Sequence, residues 1–149
     1  MNMSISLMPM NGTITPPRVV FEAGEYEKDR LVAGERVEFR LKEGVKIETV
    51  VGRGEPAQSC VWNARGEVLY RGGMWKGKKE GFGISYYANG GKQYEGLYRC
   101  GLREGEGVSY LRQGVVQYRG RWHQDEIENG AWTVCFHHIP LVLLAIEQP

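Results

Sequence analysis

Apolar and polar residues alternate along much of the chain. Val37, Phe39 and Leu41 alternate with Arg36, Glu38 and Arg40, and Val45, Ile47 and Thr49 alternate with Lys46 and Glu48. A period of two marks a half-buried strand. Lys42-Glu43-Gly44 supplies a turn between these two. Further on, Val68-Leu69-Tyr70-Arg71-Gly72 reads as the start of a strand, Lys76 to Gly81 as a polar turn, and Phe82 to Tyr87 as the returning strand. Ala88-Asn89-Gly90-Gly91 then leads into the next segment, and Asn-Gly and Gly-Gly pairs are strong hairpin signals.

The hairpins recur. Tyr70, Tyr94 and Tyr118 are spaced by 24 residues, as are Gly72, Gly96 and Gly120, then Gly66, Gly90 and Gly114, and the aromatics Trp62, Tyr86 and Tyr110. Gly77, Gly81 and Gly83 reappear one period later as Gly101, Gly105 and Gly107. Recurrent glycines at about 1 kcal/mol each argue against helix. Within a strand, glycine needs a reason. The expected one is an aromatic ring lying over it, so that the tyrosine of one strand and the glycine of the next form a ladder. Six such strands at about 4.8 Å spacing would extend roughly 29 Å.

This pattern resembles the MORN (membrane occupation and recognition nexus) repeat, a Tyr-x-Gly-x-aromatic-x-x-Gly run followed by Gly-x-Gly and an aromatic. The second repeat matches best, as Tyr94-Glu95-Gly96-Leu97-Tyr98-Arg99-Cys100-Gly101, Gly105-Glu106-Gly107 and Tyr110. In the first, Met74 stands at the aromatic position, followed by Trp75; the third begins Tyr118-Arg119-Gly120-Arg121-Trp122 and then loses its glycine pair. The resemblance covers roughly residues 61–133. It implies an open sheet of hairpins used for attachment to proteins or to membrane phospholipid, and no activity of its own.

The expected fold is therefore all-β, an open antiparallel sheet of tandem hairpins with extra strands at the N-terminal end and a short C-terminal cap. Its parts are a loose arm over 1–17, which carries Pro9, Pro16 and Pro17, an N-terminal β cap or small β subdomain over 18–57, three repeats over 58–133 and a cap over 134–149. Gly52 to Pro56 is the linker candidate. Ala131 to Phe136 reads as a final strand, and Leu141 to Ile146 as cover for an edge or for the aromatic face.

Composition adds little at the level of the whole chain, whose 149 residues carry a net charge of +1. Within the repeats the balance shifts: from Arg71 to Arg121 there are ten lysines and arginines against four acids. Such asymmetry can mark an anionic partner. Cys60, Cys100 and Cys135 are too widely spaced for a disulfide framework or a zinc pattern, and reduced thiols are expected. Met1 to Pro17 lacks the form of a secretory signal, and Leu141 to Ile146 is far short of the ~20 residues of a spanning helix. A cytoplasmic protein, associated with membrane or cytoskeleton, is the expectation.

Signals of chemistry are weak. Gly72 to Lys79 nearly spells a phosphate loop, but Lys79 stands where Ser or Thr must hold magnesium, and no helix is predicted after it. Cys135, His137 and His138, with His123 upstream, lack paired metal-ligand spacing. No nucleophile motif or acid–base carboxylate pair stands out. The chain is expected to be no enzyme, to need no cofactor or metal, and to bind no nucleic acid. The leading expectation is a protein-binding scaffold whose aromatic face presents Tyr70, Tyr94, Tyr98, Tyr118 and Trp122. The alternative is a peripheral adaptor that meets anionic phospholipid through Lys76, Lys78, Lys79, Arg99 and Arg103. Sheet edges offer a route to homo-oligomers.

Overall fold

The computed structural model describes residues 2–8 and 18–128. It is all-β and open, and its strands pair antiparallel in hairpins. Contacts divide it into two compact units between Met74 and Trp75. The first contains β1 (Asn2–Met8), β2 (Arg18–Glu27), β3 (Arg30–Arg40), β4 (Val45–Val51), β5 (Gln58–Asn63) and β6 (Val68–Trp75), which ends at the division. The second contains β7 (Lys78–Tyr86), β8 (Lys92–Arg99), β9 (Leu102–Tyr110), β10 (Val116–His123) and the two-residue β11 (Glu126–Ile127). Within each unit every strand pairs with its neighbour in chain order.

Two expectations change. Residues 2–8 are no loose arm: they form β1, in register with β2 from Asn2↔Gly24 to Met8↔Arg18. Met3, Ile5 and Leu7 alternate with Ser4 and Ser6, a strand pattern that the nearby prolines obscured. Gly52 to Pro56 is the loop between the paired strands β4 and β5. In the N-terminal β region β2 and β3 turn through Lys28-Asp29, which carries no glycine. The expected final strand over Ala131 to Phe136 and the cap at Leu141 to Ile146 lie outside the described residues.

That turn is a further copy of the periodic one. Lys28 and Asp29 have φ of 49° and 60°, Lys76 and Gly77 49° and 77°, Cys100 and Gly101 51° and 86°, Gln124 and Asp125 46° and 70°. Positive φ at both central residues is the mark of a type I′ turn, whose twist suits a two-residue hairpin. Lys76, Cys100 and Gln124 follow the 24-residue period, and Lys28 lies two periods before Lys76. Gly24 aligns in the same way with Gly72, Gly96 and Gly120, and Tyr26 with Met74, Tyr98 and Trp122.

In the second unit the register sets two rows across the strands on one face. Gly83, Gly96, Gly107 and Gly120 form one; Ser85, Tyr94, Ser109 and Tyr118 form the other. A Cβ on Gly96 would lie 2.5 Å from Gly107 Cα and 2.6 Å from Tyr94 Oη, and one on Gly107 would fall on the Tyr94 ring itself. The ring-over-glycine ladder is thus present in two forms: Tyr94 covers the glycine of the next strand, and Tyr94 and Tyr118 also lie against the glycine two residues on in their own strand.

Candidate functional site

The five rings expected to form an open aromatic face are buried. Tyr70 and Tyr94 are 1% exposed, and Tyr98, Tyr118 and Trp122 5%. Each repeat tyrosine folds along its own strand and donates its hydroxyl to the carbonyl three residues on: Tyr70 to Gly73 at 2.7 Å, Tyr94 to Leu97 at 3.0 Å, Tyr118 to Arg121 at 3.1 Å. This removes the ring from solvent and satisfies its polar tip.

In the second unit the rings lock edge to face. Centroids of Tyr94 and Tyr98 are 5.1 Å apart, of Tyr94 and Trp122 5.4 Å, and of Tyr118 and Trp122 5.3 Å. The Trp122 indole donates to Gly107 O at 3.3 Å. Two cations cover the cluster. Arg103 lies 4.1 Å above the Trp122 ring and is held there by Asp125 at 2.9 Å. Lys79 lies 5.1 Å from the Tyr98 ring and bonds Ser85, which in turn pairs with the Tyr98 hydroxyl. Burial lowers the Lys79 pKa from its ordinary value. It raises those of Tyr94 and Tyr98. Burial also pushes Asp125 up, but the Arg103 amide and guanidinium outweigh it and hold the carboxyl below its ordinary value.

The five rings are therefore core rather than an open binding stripe. In the second unit Tyr94 and Tyr118 are buried against glycines, and Tyr94, Tyr98 and Trp122 lie under cationic lids. The phospholipid set is likewise divided. Lys76, Lys78 and Arg99 are exposed, whereas Lys79 and Arg103 are engaged over the rings. Arg99, Arg119 and Arg121 alternate away from the ring face and are exposed.

The opposite face of the second unit carries a feature that the periodic pattern did not single out. Phe82 and Leu97 face each other across β7 and β8 and are 56% and 42% exposed. Leu97 also leans over Gly105, its Cδ1 3.2 Å from where a Cβ would stand. A groove of about 810 Å³ beside it is lined in part by Arg99, Glu104, Arg121 and Ile127. Alternation with the buried Gly83 and Gly96 was the available signal, since it puts Phe82 and Leu97 on the far side of the sheet.

Repeats are also braced turn to strand. Glu80 accepts from the Cys100 amide at 2.8 Å, and one period on Glu104 accepts from the Gln124 amide at 2.8 Å and meets His123 Nδ1 at 2.9 Å. The carboxyl of Glu104 is held below its ordinary value by the Gln124 amide and by His123. Among the described residues no group of His, Cys, Asp or Glu is arranged to hold a metal, and no helix is long and apolar enough to cross a membrane. Cys135, His137 and His138 lie outside those residues. Gly72 and Gly73 belong to β6 and Lys78 and Lys79 to β7, so the phosphate-loop-like run leads into a strand rather than a helix. No family model matches the chain, and no curated protein matches it.

Proposed function

We propose that this chain is a MORN-type, non-enzymatic binding module that engages a protein partner through the outer face of its second unit. The observation that carries this reading is the exposed Phe82–Leu97 pair on a sheet whose own rings are already buried. Large apolar side chains facing each other in the open, with Arg99 and Arg121 in the groove beside Leu97, form the apolar centre and polar rim that protein partners use. The buried rings supply rigidity: they fix the strands that present the outer face.

The phospholipid reading keeps Lys76, Lys78 and Arg99 and loses Lys79 and Arg103 to the ring face, so the protein reading is favoured. Phe82→Asp combined with Leu97→Asp tests it. The expected outcome is unchanged melting and loss of partner capture in cell-extract pull-downs, with vesicle co-sedimentation no greater for the native chain than for the variant. Capture that survives the double substitution would remove this face as the binding surface.

A further inference from the structure

The first unit carries an unpaired buried donor beside a groove, on different residues from the outer-face reading. Trp62 in β5 stands opposite Lys46 in β4. Its indole Nε1 is shielded from solvent and has no hydrogen-bond partner among the described residues. A buried donor left unpaired costs free energy. Trp122, the comparable indole of the second unit, has its acceptor in Gly107 O.

The surroundings of Trp62 indicate the kind of acceptor it would accommodate. Two cations lie over its ring, Lys46 Nζ at 5.4 Å from the centroid and Arg71 Cζ at 5.8 Å. Lys46 is paired with Glu48 at 2.6 Å, while Arg71 makes no ion pair among the described residues. Beside the ring is a groove of about 390 Å³, lined by Phe39, Leu41 and Val45 and by Arg40 and Lys46 among others, where the turn after β3 meets the turn after β5, with Arg71 over the ring at its side. The volume falls at the small end of ligand sites, room for one ring-sized apolar group. An indole N–H and a neighbouring guanidinium outside any ion pair among the described residues together suit a carboxylate.

We propose that this groove binds an apolar carboxylate. The Trp62 indole N–H donates to a carboxylate oxygen, Arg71 supplies the opposing charge, and Phe39, Leu41 and Val45 hold the apolar part. Lys46 and Arg71 have long side chains that can swing aside to admit it. The chemistry is that of a peptide ending in a large apolar residue, or of a free organic acid.

The indole N–H resonance of Trp62 in the full chain reads the bond directly, and is assigned by its disappearance in Trp62→Phe. The probes are 3-phenylpropionate, its neutral amide, and the peptide Gly-Gly-Gly-Phe with a free or an amidated C-terminus. Both carboxylates should shift the Trp62 signal saturably and leave the other indoles in place. The amides should bind at least about tenfold more weakly, Arg71→Gln should cost about fivefold or more, and Trp62→Phe should abolish binding. Tighter binding of the free peptide than of phenylpropionate identifies a chain terminus as the source, and the reverse order a free acid. No saturable shift of the Trp62 signal up to millimolar carboxylate, or equal binding of acid and amide, overturns the proposal. Arg71→Gln, at an exposed position, carries the test if Trp62→Phe does not fold.

Discussion

The β2–β3 hairpin of the first unit and the β8–β9 hairpin of the second are built on one plan. Both turn through two residues of positive φ, and both set a glycine against a glycine across the strands, Gly24↔Gly34 and Gly96↔Gly107. They then fill the adjoining face in opposite ways. Where the second hairpin has Tyr94 and Tyr98 in edge-to-face contact, the first has Glu22 and Tyr26, joined by a 3.1 Å hydrogen bond. Around Glu22 the face continues as a charge lattice: Arg36 reaches both Glu22 and Glu38, and the buried Glu38 also takes Arg40 at 2.8 Å and Arg18 at 3.6 Å. One backbone solution thus supports either an aromatic or an ionic interior. The hairpin is fixed by its turn and its glycines, and the side chains decide what kind of core it has.

The sharpest way to break the aromatic version is Gly107→Val. The new side chain would fall on Tyr94, whose ring is held by two neighbouring rings and by Leu97 O. A loss of about 3 kcal/mol is expected, in the upper range for overpacking. Hydrogen exchange should show it as lost protection over residues 75–128, well beyond any loss over 18–74.

The ionic version should break at Glu38→Gln, which leaves three guanidinium groups converging on a neutral amide. Breaking a fully buried pair costs about 3–5 kcal/mol; because Arg18 and Arg36 are partly exposed, about 2 kcal/mol is expected. Burial pushes the Glu38 carboxyl up, but the Arg40 hydrogen bond and the charges of Arg40, Arg36 and Arg18 outweigh it and hold the pKa below 4.5. Its contribution is then present at neutral pH and is lost as pH falls through the lowered value. Urea melts at neutral and acid pH should show a smaller acid loss in the Gln variant.

The second unit should be the alkali-sensitive one. Tyr94 and Tyr98 have raised pKa values because burial disfavours the phenolate. Above pH ~10 the unfolded chain sheds protons that these rings retain, so stability falls as pH rises. Lys79, lowered by burial, acts in the opposite sense and softens the fall. Exchange protection near pH 10.5 should therefore decline over 75–128 before it declines over 18–74. The smallest effect belongs to Arg53→Ala: Arg53 is paired with Glu25 and Glu27 but fully exposed, so no measurable change in melting is expected.

The two hairpins also differ in how far the sequence reveals them. The 24-residue period, the hairpins of the repeats and the ring-on-glycine contact were legible because tyrosine and glycine are distinctive and recur. The β2–β3 copy was not, because Glu22 replaces the tyrosine and Lys28-Asp29 turns without glycine. The residues of the aromatic face were legible, but not their burial. Period-two alternation puts Tyr94, Tyr98 and Trp122 on one side without saying that Lys79 and Arg103 curl over them. Alternation with Gly83 and Gly96 assigns Phe82 and Leu97 to the far side of the sheet, but nothing in the sequence says that this side is left open.

The braces from Glu80 to the Cys100 amide and from Glu104 to the Gln124 amide have a consequence for the evolution of length. Among the described residues, each of these two turns takes its hydrogen-bonded brace from the hairpin before it. The second unit can therefore be edited in whole quanta: removing or duplicating 24 residues leaves every brace a counterpart of the same kind and displaces the downstream strands by two strand spacings, about 10 Å. An insertion of one residue within a strand instead turns the rest of that strand's side chains to the opposite face. Selection on such a gene would see its length as a scale with fixed graduations.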